Sequence, residues 1–570
     1  MAAAEGENKV VEEAVKGGEL LFCGTTSWEA MGRRRTTPEE NLASPTRLRP
    51  LMGVDIRFVA SGCVSCHCVA LDVNGRCYTW GRNEACFVQK GQLGHGDYIQ
   101  RDRPTIVSQL SKHNIVRAGA GRSHSVVVTE DGLSFAFGWN KHGQLGSGST
   151  KNESEILPVR CQVTEVKSAV CGGEFTVWLT SVEGSSIMTV GLPQYGQLGH
   201  GSNNEYNTKD SSVRLAYEAQ PRPRAIASLS GETIVKAACG TNHTVAVTKD
   251  GHVYTWGFGG YGRLGHREQK DEWAPRIVDV FTRHNILPPN AIVSAGSANS
   301  ACTAGRIYHL LAAAFTIVFW SSLKFVCCGF VVSRKKFEKN TIFAGGGQLY
   351  MWGKIKNSGD DWMYPKPLMD LSGWNLRCMD SGNMHHFVGA DSSCISWGHA
   401  QSGELGYGPN GQKSSAIPKK VDILEGMHVI SVACGFALSL VVVDRTKDAA
   451  RIEELEVHDG KAAEVIEPTD NGADVVEKAS KKSTAKKPPN SKKRKNESSS
   501  EDEDNSEYES DDSDSLNGEA EHGRGKSSAR GRGRSASAKR GRGRGRGRAA
   551  SETASAGGRG SGRRGRPKKS

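Results

Sequence analysis

A short apolar or aromatic run that ends in Gly recurs seven times along the chain and restricts the folds available to it. The seven glycines are Gly24, Gly81, Gly138, Gly191, Gly257, Gly353 and Gly398, at intervals of 57, 57, 53, 66, 96 and 45 residues. A Gly-X-Leu-Gly turn follows five of them, at 91–94, 143–146, 196–199, 262–265 and 403–406. An internal repeat of this length indicates similar units that stack on one another.

Each repeat unit has the pattern of short strands joined by tight turns. Alternating apolar residues precede the Gly-terminated run, as at 124–128 and 243–247. Asn74-Gly75 and Asp131-Gly132 separate two such runs and supply the positive φ angles that a two-residue hairpin requires. A unit of three or four strands cannot bury both of its faces, so the units are expected to stack radially. The sequence predicts an all-β fold, a seven-bladed β-propeller with a disordered C-terminal tail.

The two ends of the repeat region complement each other. Residues 20–24 form a Gly-terminated run with no alternating run before it, whereas 429–443 have the alternating pattern and no Gly-terminated run after it. Together they are expected to complete one blade, which would leave no open sheet edge in the ring.

Gly-Gln-Leu-Gly turns, Ala-Cys-Gly-X-X-His-Thr runs such as 238–244 and Trp-Gly strand ends occur together in this chain. In this combination the sequence resembles the regulator of chromosome condensation repeat family, over roughly 20–444. Segments 256–276, 364–374 and 397–408 carry the most specific likeness, to a subgroup distinct from the Ran exchange factor that names the family. The resemblance implies a seven-bladed propeller.

The resemblance also implies two functions of different classes. The first is binding of a Ras-superfamily small GTPase, with guanine-nucleotide exchange achieved by propeller loops inserted against the switch and phosphate-loop regions of the GTPase. No residue of this chain is assigned as the inserted wedge. The alternative is a scaffold on chromosomes, spindle-related structures or the nucleolus without exchange activity. Neither function involves covalent chemistry, so the chain is not expected to be an enzyme or to need a cofactor.

Two insertions interrupt the repeat. Residues 85–89 lengthen one loop by five residues, and removal of 305–343 would shorten the interval of 96 to 57, the commonest spacing. The second insertion includes an apolar run, 310–332, which is long enough for a membrane-spanning helix but carries Lys324 at its centre, where a charge is costly. Aberrant exon boundaries, a tolerated surface loop and a membrane segment are the three explanations. Aberrant insertions are the favoured interpretation, and no membrane contact is expected.

Several residues imitate functional motifs. Cys63, Cys66, His67 and Cys68 have the residue types of a metal site, but they fall on a strand whose alternate side chains point to opposite faces. The recurring His67, His124 and His243 occupy one repeat position and are expected to tie blade turns. The glycines of 257–262 precede no helix, so they lack the geometry of a phosphate loop. Trp80, Trp256, Trp352 and Trp397 end strands and are expected in the core. No catalytic, cofactor-binding or metal-binding residue is predicted.

The C-terminal region has a different composition. Residues 1–19 and 445–570 are expected to be disordered, apart from a short helix near 449–457. The linker 445–522 contains an acidic serine-rich run at 498–515 and a dense basic cluster. That cluster fits a nuclear localisation signal for an import receptor, with a solvated basic linker as the alternative. Its residues are Lys486, Lys487, Lys492, Lys493, Arg494 and Lys495.

Residues 523–570 hold 17 basic residues and one acid, a net charge of +16, whereas 1–444 hold 44 basic and 39 acidic residues, a net charge of +5. Arg-Gly repeats contact nucleic-acid phosphates, and Arg-Gly-Arg-Pro at 564–567 resembles a minor-groove hook. DNA or RNA binding is therefore assigned to the tail. The expected contact residues are Arg540, Arg542, Arg544, Arg546, Arg548, Arg563, Arg564, Arg566, Lys568 and Lys569. The reduced, scattered cysteines and the basic cluster together predict a nuclear protein, at chromosomes or the nucleolus.

The charge distribution predicts that truncation after His522 removes most DNA and RNA binding. Because phosphate contacts release counterions, the affinity of the 523–570 peptide should fall by orders of magnitude between low and elevated salt. Changing Arg564 and Arg566 to Ala should remove any A·T preference and leave the non-specific affinity of 540–548. Titrations of labelled duplexes against salt measure both effects, and a propeller that binds DNA as tightly as the full chain would contradict the assignment.

Overall fold

The structure of the protein, a computed structural model, describes residues 17–29, 31, 41–85, 88–207, 215–305, 347–355 and 359–461. The chain divides into two compact units, 1–469 and 470–570, and every described residue belongs to the first. The expected tail, its basic cluster and its nucleic-acid contacts lie outside the described residues. The described part confirms the predicted all-β fold of seven blades in a propeller arrangement.

Each blade is an antiparallel sheet whose strands follow one another in the chain. Blade 1 contains β3 (Ile56–Ala60), β4 (His67–Asp72), β5 (Cys77–Gly81) and β8 (Arg101–Ile106). Blade 2 contains β9 (Ile115–Ala120), β10 (His124–Thr129), β11 (Ser134–Trp139) and β12 (Ser154–Arg160). Blade 3 contains β13 (Val166–Cys171), β14 (Phe175–Thr180), β15 (Ile187–Gly191) and β18 (Gln220–Ala225). Blade 4 contains β19 (Ile234–Cys239), β20 (His243–Thr248), β21 (Val253–Gly257) and β22 (Glu272–Ile277).

The remaining blades follow the same order. Blade 5 contains β23 (Val293–Ala295), β24 (Asn299–Ala304), β25 (Gln348–Gly353) and β26 (Trp362–Pro367). Blade 6 contains β27 (Leu376–Ser381), β28 (His385–Ala390), β29 (Cys394–Gly398) and β30 (Ser415–Lys420). Blade 7 combines β31 (Val429–Cys434) and β32 (Leu438–Val443) with β1 (Glu19–Thr25), β2 (Asn41–Leu48) and β33 (Val457–His458). Two small hairpins, β6–β7 (Glu84–Ala85, Val88–Gln89) and β16–β17 (Glu205–Asn207, Leu215–Tyr217), stand apart from the blades.

The second strand of every blade is buried at all of its positions, because the neighbouring blades cover both of its faces. This explains the near-continuous apolar character of runs such as 438–443. The first strands of neighbouring blades contact one another and therefore surround the central channel. Short 3-10 helices lie at Arg49–Leu51, Ser108–Leu110, Ala227–Leu229, Gly260–Gly262, Asp279–Phe281, Arg283–Asn285, Met369–Leu371 and Asp422–Leu424.

Antiparallel pairing gives the propeller two distinct faces. The upper face carries the loops between first and second strands and between third and fourth strands. The lower face carries the hairpins between second and third strands and the connections between blades. The insertion at 85–89 therefore falls in a loop of the upper face, and Ala304 and Gln348, the strand ends on either side of the longer insertion, lie at the lower face.

The predicted closure is confirmed. β1 pairs with β32 from Glu19↔Val443 to Gly24↔Leu438, so both ends of the repeat region share blade 7. Glu19 is 1% exposed at this seam, where its carboxylate lies 3.2 Å from Nε of Arg47 and 3.6 Å from Nε of Arg445. The seam therefore has an apolar core and a buried charge cluster at its lower end.

The folded region extends beyond residue 444, where the sequence analysis ended it. Helix α1 (Arg445–Glu453) begins at Asp444, whose side chain accepts a hydrogen bond from the amide of Thr446 at 2.8 Å. Ile452 is buried in the core beside Leu21 and Val441. β33 then pairs in parallel with β2, and Nε of Arg103 in blade 1 donates to the carbonyl of Asp459 at 2.8 Å. Residues 445–461 thus fasten the closing blade to blade 1.

The insertion at 85–89 does not disrupt the turn between the third and fourth strands of blade 1. Glu84–Ala85 pairs with Val88–Gln89, and residues 86–87 lie outside the described part. The amide of Gly91 donates to the carbonyl of Asn83 at 3.1 Å, as Gly143 does to Asn140 at 2.9 Å in blade 2. The short strands Glu84–Ala85 and Val88–Gln89 therefore lie between Asn83 and Gly91, which keep the hydrogen bond of the regular turn.

The longer insertion separates two strands that pair without interruption. Ala304 is the partner of Gln348, and the next residues on each side, Gly305 and Gly347, have φ angles of +88° and +92°. Residues 306–346, including the apolar run 310–332, lie outside the described residues. No helix in the described part of the chain is long and apolar enough to cross a bilayer.

The seam predicts where the chain can be shortened. Truncation after residue 461 should leave the melting temperature unchanged, whereas truncation after 444 should lower it, because the cover over Leu21 and Val441 is lost. Ile452→Ala should cost about 2–5 kcal/mol, as for other buried aliphatic side chains. Thermal and denaturant unfolding compare the three proteins. Equal melting of the two truncated chains would show that 445–461 contribute nothing to closure.

The paired strands at the longer insertion predict that 306–346 are dispensable for folding. Their deletion joins Gly305 to Gly347 and leaves a two-residue turn in which both residues already have positive φ, as a type I′ hairpin needs. The shortened protein should fold and unfold with unchanged or higher stability. In the shortened chain, Gly305→Val with Gly347→Val should destabilise, because β-branched residues tolerate positive φ poorly. A shortened chain that fails to fold would make the insertion a structural element.

Candidate interaction surface

The recurring histidines connect neighbouring blades. Each begins the second strand of its blade, and Nε2 of its ring meets a Ser or Thr hydroxyl on the second strand of the next blade. The four pairs are His67–Ser125 at 2.7 Å, His124–Thr176 at 3.0 Å, His243–Ser300 at 2.8 Å and His385–Ser439 at 2.9 Å. The expected role of this repeat position in tying blade turns is confirmed, with the addition that the hydrogen bond crosses between blades.

The same hydroxyl also donates a hydrogen bond to a backbone carbonyl of a Gly-X-Leu-Gly turn. Thr176, for example, donates to the carbonyl of Gln144 at 2.7 Å, so its oxygen accepts the Nε2–H of His124. A Cβ on Gly121 would lie 2.1 Å from Cε1 of His124, which explains the glycine of the Gly-X-X-His motif. Burial lowers the pKa of His124 to about 3, so the ring is neutral at physiological pH. These histidines are structural groups.

The residues that imitate a metal site are also part of the core. Cys63, Cys66, His67 and Cys68 are all buried, and the ring nitrogens of His67 meet the hydroxyls of Ser65 at 2.9 Å and of Ser125. Burial raises the pKa of the Cys63 thiol to about 11. Within the described ranges no group of three or more His, Cys, Asp or Glu side chains could hold a metal ion.

The upper end of the channel is narrowed by the loops between first and second strands. Neighbouring loops join through their backbones, as where the amide of Arg122 donates to the carbonyl of Gly173 and the amide of Gly173 to that of Thr241. Sγ of Cys63 in blade 1 lies 3.7 Å from Oγ1 of Thr241 in blade 4. Blades 1 and 4 are not neighbours, so this contact crosses the channel.

An aromatic–arginine cluster lies on the upper face between blades 3 and 5. Tyr195 packs against Phe258 with ring centroids 4.7 Å apart, and the Arg263 guanidinium lies 4.6 Å from the Phe258 ring. Tyr261, held at a φ of +60°, is contacted by Arg263 at 5.5 Å and by Nζ of Lys354 at 4.8 Å. The aromatic contact joins blade 3 to blade 4, and the Lys354–Tyr261 cation–π contact joins blade 4 to blade 5. The glycines of 257–262 shape this cluster, and a 3-10 turn, Gly260–Gly262, stands where a phosphate loop would require a helix.

Arg263 is the foundation of the cluster. It takes the X position of a Gly-X-Leu-Gly turn, is 4% exposed, and donates to the carbonyls of Gly260 at 2.9 Å and Ser297 at 2.6 Å. Burial lowers the pKa of its guanidinium to about 10, and the group remains charged at neutral pH. The buried charge of Arg263 therefore lies against the rings of Phe258 and Tyr261, which are partly exposed at the surface.

The blade 3 hairpin, β16–β17, stands beside this cluster. Its base is closed by the amide of Glu218, which donates to the carbonyl of Asn204 at 3.0 Å, and residues 208–214 at its end lie outside the described part. Tyr206 on the hairpin is 52% exposed, and Trp273 on the outer strand of blade 4 is 46% exposed. The amide of Gly201 donates to the carbonyl of Trp273 at 2.8 Å, which fixes the hairpin's origin against blade 4. The surface combines exposed Tyr and Trp with buried Arg, the residue types of interface hot spots.

Neither the blade 3 hairpin nor the aromatic–arginine cluster is predicted by the sequence analysis. The interval of 66 residues between Gly191 and Gly257 is nine longer than the commonest spacing, and this excess is the signal for the hairpin. The Arg at 263, where three of the other four turns have Gln, marks the cluster.

Seven blades, inter-blade histidines and Gly-X-Leu-Gly turns define a propeller of the regulator of chromosome condensation type. The family model for the RCC1-like domain matches residues 14–302, and that for the RCC1 repeat matches 391–442. Protein RCC2 of Mus musculus is 35% identical over 77% of this chain and 79% of its own length, and Protein RCC2 of Homo sapiens is 35% identical over 75% and 76%. The chain belongs to the RCC1-like family. Among solved structures, human WBSCR16 has the same fold at 18% identity, with a TM-score of 0.55 over 75% of this chain and 99% of that one.

Proposed function

We propose that this protein binds a small GTPase of the Ras superfamily through its upper face, where the blade 3 hairpin enters the nucleotide-binding region of the GTPase. The observation that carries the proposal is the hairpin itself. It is a separate two-stranded sheet that leaves the regular turn of blade 3 and bears a largely exposed tyrosine. Family resemblance implies exchange by inserted loops, and this hairpin is a loop of that kind.

The aromatic–arginine cluster supplies the rest of the proposed interface. Tyr206 and Trp273 offer large apolar surfaces at little cost in conformational entropy, and the rings held by Arg263 extend them towards blade 5. Yeast Prp20p, which shares the fold at 17% identity and a TM-score of 0.54 over 77% of this chain and 94% of its own, is described by its binding properties to Gsp1p, a small GTPase, and histones. That description supports a GTPase as the class of partner.

Nuclear localisation and chromatin association are part of the proposal. The basic cluster at 486–495 and the +16 charge of 523–570 support import and a nucleic-acid tether. A structure of yeast RCC1 (Prp20) was determined bound to Kap60, which supports an import receptor as a partner class. In this proposal the tail holds the propeller at chromatin, and the upper face binds the GTPase.

Nucleotide release from a panel of purified Ras-superfamily GTPases tests the proposal with the full chain. One GTPase should bind, and its nucleotide should dissociate faster at micromolar propeller. Tyr206→Ala and Trp273→Ala should each weaken binding by roughly tenfold or more, the effect of a hot-spot truncation.

Met369→Ala is the matched control, because Met369 is 67% exposed on the lower face. It should leave GTPase binding unchanged. Binding without faster release would support the scaffold instead of the exchange factor. Failure of every GTPase to bind, or unchanged binding by both upper-face variants, would refute the proposed interface.

A further inference from the structure

The lower end of the central channel is a cationic cavity. It has a volume of about 570 Å³ and is lined by the first strands of blades 2 to 6 and the segments next to them. Of its seventeen lining residues none is acidic, and four are cationic: Arg117, Lys167, Lys236 and Arg377. The cavity thus concentrates positive charge in a propeller region that is nearly neutral overall.

A repeated backbone irregularity places these cations. In blades 2, 3, 4 and 6 the pairing of the first strand with the second shifts by one residue near the start of the strand. Lys167 and Arg377 occupy the extra position, whereas Arg117 and Lys236 follow it directly. Bulges of this kind redirect side chains. Blade 1 has the same shift at Arg57, whose pKa is lowered by burial and then by the charge of Arg117.

The hydrogen bonds that the structure gives Arg117, Lys236 and Arg377 go to backbone carbonyls and to an imidazole ring. Arg117 donates to the carbonyl of Val116 at 2.8 Å, Lys236 to the carbonyl of Ala291, and Arg377 to the ring of His428. Across the described residues none of the four cavity cations forms an ion pair with a carboxylate. Burial lowers the pKa of Lys236, as expected for an ammonium group held without a counter-charge. The cavity therefore lacks the negative charge that would balance its lining.

The shape of the cavity selects the kind of anion. Its upper end leads to the loops where Cys63 meets Thr241 across the channel, and its lining residues lie near the starts of the first strands, at the lower face. Cavities of about 300–1,000 Å³ suit small molecules, and a nucleic-acid strand could place no more than its end inside. Phosphate groups are the anions that several converging Arg and Lys side chains bind best.

We propose that this cavity binds a compact, multiply phosphorylated small molecule, held by Arg117, Lys167, Lys236 and Arg377. The site lies on the face opposite to the proposed GTPase interface and is independent of it. A ligand held by side chains from the first strands of four blades would also stabilise the ring, because it binds the folded state alone.

Inorganic tripolyphosphate is the probe, applied to the full chain. It should raise the melting temperature of the propeller by several degrees, and orthophosphate at equal ionic strength should raise it far less. It should also protect Lys167 and Lys236 from an amine-reactive label, read by mass spectrometry, while exposed Lys151 and Lys413 stay reactive. This footprint separates the cavity from binding by the basic tail.

The variant Lys167→Gln with Lys236→Gln and Arg377→Gln should lose the thermal shift and bind tripolyphosphate at least roughly tenfold more weakly. Lys151→Gln with Lys249→Gln and Lys413→Gln removes the same charge elsewhere and should behave as the wild type. Equal labelling of all four lysines with and without the probe would overturn the proposal in the unmodified protein, whether or not the variants fold. A full thermal shift in the cavity variant would overturn it as well. A shift given by a poly-glutamate peptide and not by tripolyphosphate would assign the cavity to an acidic protein segment instead.

Discussion

The hydrogen bond from a histidine to the hydroxyl of the next blade is the interaction on which the propeller depends. A blade buries both faces of its second strand only if its neighbours are held in register, and the chain from His124 through Thr176 to the carbonyl of Gln144 sets that register. Three motifs of the repeat meet there: the Gly-X-X-His run, the alternating strand and the Gly-X-Leu-Gly turn. Because the ring, the hydroxyl and the carbonyl are all buried, loss of one partner would leave polar groups without water. The bond occurs at four of the seven blade boundaries and sets the register of the two blades at each of them.

A ring of repeats must be closed between its last and first units, and the repeat pattern does not determine how. In this protein strands from both ends of the repeat region make that joint. β1 completes the sheet of β31 and β32, and Glu19 is held there by Arg47 and Arg445. The segment after the last repeat then covers the joint, with Ile452 in the core and β33 beside β2. Blade 7 depends on residues far apart in sequence, so its formation closes a loop of more than 400 residues.

The sequence predicted what the repeat encodes and missed what departs from it. The seven blades, the closure by 20–24 and the burial of Trp256 follow from period, alternation and glycine turns. For 445–461 the charged composition predicts a disordered linker with a short helix near 449–457, whereas in the structure Ile452 and Leu455 pack in the core and β33 pairs with β2. The blade 3 hairpin and the channel cations were missed because a spacing excess and a one-residue bulge leave little trace in composition. Features that arise from a longer loop or a β-bulge become visible only once the backbone structure is known.

These irregularities divide the two faces between different roles. On the upper face the third-to-fourth loops vary in length, and blade 3 uses that freedom to build a hairpin beside aromatic rings held by Arg263. On the lower face the bulges at the starts of the first strands place cations around the channel while the blades stay regular. Between the two faces, the second strands are buried and four histidine bonds join neighbouring blades, so this layer has little freedom to change. Function in such a propeller is therefore added at the ends of strands, where an extra residue alters a surface and leaves the register between blades unchanged.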